Sequence, residues 1–151
     1  MQINRFIYYI NSFLIILFVF LADYITKQAV EGSPFAIYNT GVGFSLLRNY
    51  PLFISVATSI IILVILGIVI YVKDYYLGVP LCLIIGGGLG NLNDRFQEPP
   101  YFGKGAVVDF INYGLFIGNI ADIFVVIGII VFVVDYFYVI KYRGARSKSK
   151  N

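Results

Sequence analysis

Histidine is absent from this 151-residue chain, and cysteine occurs once, as Cys82. A single cysteine excludes an internal disulfide framework. Without histidine, a conventional zinc site lacks its usual nitrogen ligands, and activation of a nucleophile by a Ser-His or Cys-His pair is excluded. We therefore expect no metal and no cofactor, and we interpret Cys82 as a buried apolar thiol.

Charged residues are also scarce, at 13% of the chain, whereas 60% of its residues are hydrophobic and its mean hydropathy is +0.86. A soluble domain of this length cannot bury so much apolar surface. The composition therefore indicates a polytopic membrane protein. We expect one compact bundle, with residues 1–151 forming a single integral-membrane domain.

Hydrophobic runs of roughly 17 to 25 residues are typical of membrane-spanning helices. The sequence predicts four of them, at about residues 6–22, 52–72, 77–92 and 117–140. The first run could instead be a secretory signal, but it lacks a small-residue cleavage site and continues into the helix-compatible segment 23–27. We therefore expect this first helix to be retained.

The basic residues indicate how the bundle is oriented. Four spans place both termini on one side of the membrane, and the tail 141–151 carries five of the 11 Lys and Arg residues. The positive-inside rule then predicts cytoplasmic termini. The tail could also bind nucleic acid, but we interpret it as a topology determinant in contact with anionic membrane lipid.

Two segments of intermediate polarity, 23–51 and 93–116, lie on the opposite, outer side of this predicted bundle. They combine turn-forming residues with short β-like stretches such as 35–38, and neither is long enough to form a domain. We expect a small extracytoplasmic strand-and-loop cap. The predicted fold class is an all-α membrane protein with four transmembrane helices and this cap.

Two aspartates, Asp109 and Asp122, lie in apolar surroundings at this outer side. An ionisable group at the edge of hydrocarbon costs several kcal/mol by rough estimate, so both need a reason. Two adjacent carboxylates share a proton: one can act as general base on a water while the other hydrogen-bonds a carbonyl. Taken alone, Asp122 could be a helix-start carboxylate, and Asp109 could pair with Arg95 or Lys104.

Further polar residues form a layer on the same outer side, whereas a transporter more often places its ionisable groups near the bilayer midplane. The layer favours a site that works at the membrane surface. Two alternatives stay open: a Ser-Lys peptidase that uses Ser45 with Lys27 or Lys104, and a small transporter or non-enzymatic assembly factor. The layer contains Asp23, Glu31, Asn39, Asn91, Asn93, Asp94, Glu98, Asn112 and Asn119.

Several residues of this layer are interpreted as supports. Asp94 and Arg95 are expected to act as structural clamps, since an arginine at a bundle end can hold a loop through paired hydrogen bonds. Asp23 and Lys27 are four residues apart on one helical face, which suits a simple interfacial salt bridge as well as a role in the site. The glycines at 86–88 permit close helix packing.

Five short motifs follow one another along the chain: Asp23-Tyr-Ile-Thr-Lys27, Asn39-Thr-Gly41-Val-Gly-Phe44-Ser45, Gly90-Asn91-Leu-Asn-Asp94-Arg95, Val108-Asp109-Phe110 and Asn119-Ile-Ala121-Asp122. In this order they resemble the motifs of bacterial lipoprotein signal peptidase, the signal peptidase II family of aspartyl membrane proteases. The resemblance covers nearly the whole chain. Two departures from the family concern the outer segments: residues 28–38 look shortened and the loop at 96–105 looks unusually long.

This resemblance implies an endopeptidase of the bacterial cytoplasmic membrane, with its site at the outer leaflet, that cuts lipid-modified prolipoproteins before the diacylglyceryl-modified cysteine. It implies Asp109 and Asp122 as the catalytic dyad and globomycin-like peptides as inhibitors. Substrate-binding or site-shaping roles fall to Asn39, Asn91, Arg95, Asn112 and Asn119. Structural support falls to Asp23, Lys27, Gly41, Asp94 and Ala121.

Overall fold

The computed structural model describes residues 4–42, 46–97 and 105–148, with side chains described as far as residue 138. Within these ranges the chain forms four helices: α1 (Arg5–Val30), α2 (Pro51–Val72), α3 (Tyr75–Phe96) and α4 (Ile120–Lys148). α1, α2, α3 and the Ile120–Tyr138 part of α4 are long and apolar enough to cross a membrane. The predicted fold class is therefore confirmed.

The helix ends differ from the predicted spans mainly at the end of the bundle that carries the cap; at the other end, α4 runs to Lys148, past the predicted end at residue 140. α1 continues to Val30 and α3 to Phe96. The hydrophobic runs predict that these two helices end near residues 22 and 92. The added turns carry polar side chains that pair with one another inside the bundle, so they interrupt the hydropathy without ending the helix. α4 begins at Ile120 because residues 117 and 118 are paired as a strand.

α3 is the central helix and packs against α1, α2 and α4. Its glycines permit the close approach: a Cβ added at Gly86 would lie 2.6 Å from Val19 Cβ on α1, and one at Gly87 would lie 2.6 Å from the Ala121 carbonyl oxygen on α4. The packing interpretation of residues 86–88 is confirmed. Cys82 is fully buried in the same helix, as predicted.

The predicted cap consists of two small antiparallel sheets. β1 (Ile37–Asn39) pairs with β2 (Val107–Asp109), and β3 (Ile111–Asn112) pairs with β4 (Ile117–Gly118). Phe110 lies between β2 and β3, and its N–H donates to the Gly118 carbonyl at 2.8 Å, so the second sheet folds back beside the first. This arrangement brings the end of β2 next to the start of α4.

Candidate active site

Asp109 ends strand β2 and is almost completely buried, with 3% of its surface exposed. In the β1–β2 register Asn39 faces Val107, so Asn39 and Asp109 are diagonal neighbours. Asn39 Nδ2 donates to Asp109 Oδ2 at 2.9 Å, and Gly41 N–H donates to Asn39 Oδ1 at 2.9 Å. The hydrogen bond from the Gly41 backbone thus fixes the orientation of the Asn39 side-chain amide, so that its NH2 group faces the Asp109 carboxyl.

Asp122 lies in the first turn of α4 and caps it together with Asn119. Asn119 N–H donates to Asp122 Oδ2 at 3.2 Å, and Asp122 N–H donates to Asn119 Oδ1 at 3.1 Å, which is the reciprocal arrangement of a capping box. The other carboxyl oxygen, Oδ1, accepts from Asn91 Nδ2 at 3.0 Å. The helix-start interpretation of Asp122 is therefore correct, and the same carboxylate also faces the polar cluster.

Asn119 joins the two aspartates. Its side chain is fully buried, and its Nδ2 donates to Asp109 Oδ1 at 2.8 Å while its backbone N–H donates to Asp122. The same Nδ2 lies 2.9 Å from Asn91 Oδ1. One residue at the α4 N-terminus therefore holds both carboxyl groups in a single hydrogen-bonded cluster.

Beneath this cluster lies a second polar layer around Lys27. Its Nζ lies 2.6 Å from Asp23 Oδ2 and 2.8 Å from Asp94 Oδ2, and it donates to Asn91 Oδ1 at 2.9 Å. The side chains of Lys27 and Asp23 are 2% and 0% exposed, so the expectation of a simple interfacial salt bridge is wrong: helix packing encloses the pair.

The carboxylates of this second layer also hold backbone groups. Asp23 Oδ1 accepts from Ala121 N–H at 2.9 Å, which ties α1 to the start of α4. Asp94 Oδ2 accepts from Val108 N–H at 3.1 Å, which ties α3 to β2. Asp94 therefore anchors the strand that carries Asp109, and Asp23 anchors the start of the helix that carries Asp122.

Arg95 holds the loops around the cap. Its guanidinium donates to the carbonyl oxygens of Gly105, at 2.7 Å, of Thr40, at 3.4 Å, and of Gly41. Within the part of the chain that the structure describes, Asp109 and Arg95 form no ion pair, so the alternative that Asp109 is a loop carboxylate paired with Arg95 is wrong. The other partner considered, Lys104, lies outside the described residues. The contacts of Arg95 are those of a clamp between the segment after β1 and the segment before β2.

Burial raises the pKa of Asp109 from 3.8 to about 6. The hydrogen bond from Asn39 opposes this shift, and the neighbouring Asp122 carboxylate adds to it. The pKa of the Tyr113 phenol is raised as well, first by burial and then by the two aspartates. A carboxyl whose pKa lies this close to neutrality can carry a proton under physiological conditions.

Two cavities meet at Asp109. A mostly apolar groove of about 390 Å³ runs between α2, α3 and α4 and is lined by both aspartates, and a more polar outer pocket of about 380 Å³ lies beside the cap and is lined by Asp109, Arg48 and Tyr38 among others. A bound chain that extended from one cavity into the other would lie next to Asp109. The residues that line both cavities are Asn39, Asp109, Phe116 and Ile117.

Not every predicted site residue joins the cluster. Asn112 is exposed, and its Oδ1 accepts from Gly114 N–H at 2.8 Å within its own turn, so the structure does not bring it to the aspartates. Ser45, Glu98 and Lys104 lie outside the described residues, as does most of the 96–105 loop. Within the described ranges, no group of three or more acidic or cysteine side chains is arranged to hold a metal ion.

Sequence reasoning missed Tyr113, whose hydroxyl donates to the Asn119 carbonyl at 3.2 Å, and Phe116, which lines both cavities. The two rings pack against each other with centroids 4.9 Å apart. Their position in the short stretch between the two aspartates was the available signal, although it does not settle the matter, since Asn112 in the same stretch does not reach the carboxyl groups.

Comparison with known proteins gives a consistent result. The family model for signal peptidase (SPase) II matches residues 15–138. A lipoprotein signal peptidase from Tropheryma whipplei (strain TW08/27) is 54% identical over 52 residues, which are 32% of this chain and 35% of the relative. One from Rickettsia typhi (strain ATCC VR-144 / Wilmington) is 34% identical over 109 residues, 66% of this chain and 53% of the relative.

A third relative, the lipoprotein signal peptidase of Caldanaerobacter subterraneus subsp. tengcongensis, is 36% identical over 98 residues, 63% of each chain. Across these three proteins, the matches span between 35% and 63% of the relative's length. A solved structure described as a bacterial membrane enzyme superposes with a TM-score of 0.73 at 27% identity and covers 85% of this chain and 88% of its own.

Proposed function

Since the chain belongs to the signal peptidase II family, we propose that it is a membrane aspartyl endopeptidase. Its proposed substrates are lipid-modified prolipoproteins, from which it removes the signal peptide just before the diacylglyceryl-modified cysteine. The three curated relatives are lipoprotein signal peptidases. The single observation that carries the proposal is the Asn119 bridge. It holds Asp122, which lines the apolar groove, together with Asp109, which lies where that groove meets the polar pocket.

The proposed mechanism uses the two aspartates as an acid and a base that share one proton. The ionised carboxylate takes a proton from a water molecule as the water oxygen bonds to the scissile carbonyl carbon. The protonated carboxyl donates its hydrogen to the carbonyl oxygen, which becomes a hydroxyl of the tetrahedral intermediate. When the intermediate collapses, the C–N bond breaks, the leaving amine nitrogen gains the proton taken from water, and the hydroxyl proton returns to the dyad.

The cavities suit a substrate that is partly in the membrane. The groove between α2, α3 and α4 is apolar below the carboxyl groups, as a signal-peptide segment or acyl chain in lipid requires. The outer pocket is more polar, as the chain that follows the cleavage point requires. A globomycin-like cyclic peptide that fills the groove beside Asp109 and Asp122 would compete with the substrate.

The remaining site residues receive supporting roles in this proposal. Asn39 and Asn119 orient Asp109, Asn91 orients Asp122, and Arg95 holds the loop that carries Asn39. Asp23, Lys27, Gly41, Asp94 and Ala121 fix these groups through the contacts described above. The role predicted for Asn112 stays a prediction, and its contacts do not support it.

The proposed location is the bacterial cytoplasmic membrane, with both termini in the cytoplasm. All parts of the cluster lie at one end of the bundle: the C-terminal turns of α1 and α3, the start of α4, and the cap. The basic tail 141–151 lies at the opposite end, where its first residues extend α4 to Lys148. By the positive-inside rule, the cluster then faces the outer leaflet. The lipid chains of the substrate are anchored in the bilayer and keep the scissile bond at this surface.

The form of the competing Ser-Lys mechanism that uses Lys27 as the base is disfavoured by the environment of Lys27; Ser45 and Lys104 lie outside the described residues. A lysine base must be neutral and must reach its serine, whereas Lys27 Nζ is enclosed and in contact with two carboxylates and Asn91. The one-sided polar cluster likewise gives no support to a transport pathway through the bilayer centre.

Cleavage of defined substrates tests the proposed function. The purified full chain in lipid would be incubated with one prolipoprotein in two forms, with and without the diacylglyceryl group on the cysteine, and the products identified by mass spectrometry. We expect cleavage directly before the modified cysteine, and little cleavage of the unmodified form. Cleavage elsewhere, equal cleavage of both forms, or substrate flux without cleavage would contradict the proposal.

A further inference from the structure

A continuous line of hydrogen bonds connects Lys27 on α1 to both aspartates. Lys27 Nζ donates to Asn91 Oδ1, and Asn91 Nδ2 donates to Asp122 Oδ1. Asn119 Nδ2 reaches the same Asn91 oxygen and also donates to Asp109 Oδ1. The ammonium group therefore acts on the dyad without touching either carboxyl group.

The direction of this line is fixed by chemistry. A lysine ammonium has three N–H donors and no acceptor, so only the oxygen of the Asn91 amide can face it. The NH2 group of Asn91 must then face Asp122. Asn119 cannot reverse this orientation, because its own Oδ1 accepts from the backbone N–H of Asp122 and its Nδ2 is turned toward Asn91 and Asp109.

As a consequence, Asp122 and Asp109 differ in how well their surroundings stabilise a negative charge. Both oxygens of Asp122 accept N–H donors, one from Asn91 and one from the backbone at the start of α4, where the helix dipole also favours negative charge. Asp109 also accepts two donors, but they are side-chain amides and it lies on a strand with 3% of its surface exposed. The environment therefore favours the ionised form at Asp122 more than at Asp109.

We propose that Lys27 is a positioning residue: it holds the Asn91 NH2 group on Asp122 and thereby keeps Asp122 as the ionised base and Asp109 as the proton-carrying acid. This inference rests on the proposed function and deepens it. Without the ammonium, Asn119 Nδ2 is the remaining described donor to the Asn91 oxygen. The Asn91 amide is then held less firmly and can turn its oxygen toward Asp122, where only a protonated carboxyl could donate to it.

Other ionisable groups near the dyad must be held constant in any test. Among the described residues, those that interact with the dyad or with Lys27, or that line a cavity beside Asp109, come from several neighbouring elements. They are Asp23 on α1, Arg48 at the outer pocket, Asp94 and Arg95 on α3, and Tyr113 between β3 and β4.

A matched pair of variants separates the donor of Lys27 from its charge. Asp23→Asn would serve as the parent, because it leaves Asp94 as the only buried carboxylate beside residue 27 once the lysine is replaced. Lys27→Met and Lys27→Gln in this parent remove the same charge, but only glutamine keeps an N–H donor for Asn91. Thermal unfolding of each variant would show that it folds.

The first readout needs no substrate. Infrared difference spectra near pH 5 would record the carbonyl stretching band of protonated carboxyl groups. In the native chain and in the Asp23→Asn parent, we expect Asp109→Asn to remove one band and Asp122→Asn to leave it. With Lys27→Met we expect Asp122→Asn, and not Asp109→Asn, to remove a band, because Asp122 now holds the proton. With Lys27→Gln we expect Asp109→Asn to remove the band, as in the parent. A band from Asp94, which loses its cation in both Lys27 variants, is common to the two and does not affect the comparison. If the band of the native chain is lost in Asp122→Asn and kept in Asp109→Asn, the proton assignment is overturned.

The second readout is the pH profile of cleavage. We expect Lys27→Met to lower kcat by about 10- to 100-fold relative to the parent, as loss of an orienting contact does, with little change in KM and a displaced pH profile. We expect Lys27→Gln to recover most of the loss. Equal kcat values and profiles for the two variants would overturn the positioning role. If the native chain cleaves nothing, the proposed function fails, and the infrared result still decides where the proton lies.

Discussion

The two ends of the bundle bury polar groups in different ways. At the end away from the cap, neutral hydroxyls bind nearby backbone carbonyls: Tyr8 donates to the Val69 carbonyl at 3.0 Å and Ser12 to the Tyr8 carbonyl at 2.9 Å. At the capped end, buried neutral groups such as Ser55 and Asn119 occur together with the charged side chains of Lys27, Asp23 and Asp94, and these charged groups connect four separate segments of the chain.

This difference indicates what each end is for. Hydroxyl-to-carbonyl bonds satisfy a polar group at low cost and need no partner of opposite charge. Buried ions add little net stability, because desolvation offsets their attraction, although removing one partner is expensive. A chain that retains Lys27, Asp23 and Asp94 beneath Asp109 and Asp122 therefore does so for the geometry and charge of the site, more than for stability.

The largest effect on stability is expected from Lys27→Met in the otherwise native chain. It leaves the carboxylates of Asp23 and Asp94 enclosed without their cation, at a cost of about 3–5 kcal/mol. Tyr8→Phe at the opposite end removes one neutral hydrogen bond and should cost about 1 kcal/mol. Thermal unfolding of both variants in the same lipid checks the contrast, which equal losses would refute.

The pH dependence of stability should reveal the ionisation of Asp109. Its pKa is raised from 3.8 to about 6 on folding, so the folded form binds this proton more tightly than the unfolded chain does. This contribution, about 3 kcal/mol by linkage, is fully present below pH 3.8 and is lost as the pH rises through about 6. Asp109→Asn should flatten the measured stability across that window; an unchanged slope would contradict the assignment.

Glycine substitutions compare the buried and lipid-facing sides of the helices. Gly87→Ala places a Cβ 2.6 Å from the Ala121 carbonyl and should cost about 1–3 kcal/mol by forcing α3 and α4 apart. Because Asp122 follows Ala121 directly, cleavage should fall as well. Gly67→Ala is the matched control, since its Cβ would meet no atom within 4 Å. Equal unfolding temperatures for the two variants would argue against the close α3–α4 contact.

The smallest effect is expected from Asn112→Ala. The bond described for its side chain is the one from the Gly114 N–H within an exposed turn, so the stability loss should be about 0.5 kcal/mol and cleavage should change little. Asn119→Ala, which breaks the bridge between the aspartates, should reduce kcat far more. A loss of activity in Asn112→Ala as large as that in Asn119→Ala would restore Asn112 to the site.

Hydropathy and motif order predicted the membrane fold and placed Asp109 and Asp122 on one side, but not the ends of the helices. The polar turns 23–30 and 93–96 look like loops because an apolar scale cannot distinguish a polar side chain that meets a partner inside the bundle from one in water. For the same reason the sequence suggested an interfacial position for the Asp23–Lys27 pair, which the structure encloses.

The local pattern also could not identify which amides reach the carboxyl groups. Asn112 and Asn119 both lie within ten residues of Asp109, yet only Asn119 reaches it, because the turn at 113–116 directs Asn112 outward and the start of α4 directs Asn119 inward. That choice depends on the register of β3 with β4, which short strands do not encode in their hydrophobic alternation.

Cleavage by the dyad variants tests the central claim most directly, namely that Asp109 and Asp122 act together on a lipid-modified substrate. Asp109→Asn and Asp122→Asn would be compared with Asp135→Asn, which changes an aspartate of the same helix as Asp122 but far from the cluster. We expect each dyad variant to lose at least about 10³-fold in kcat, with the folded structure intact, and Asp135→Asn to cleave like the native chain. Full cleavage of the diacylglyceryl-modified prolipoprotein by either dyad variant would contradict the account.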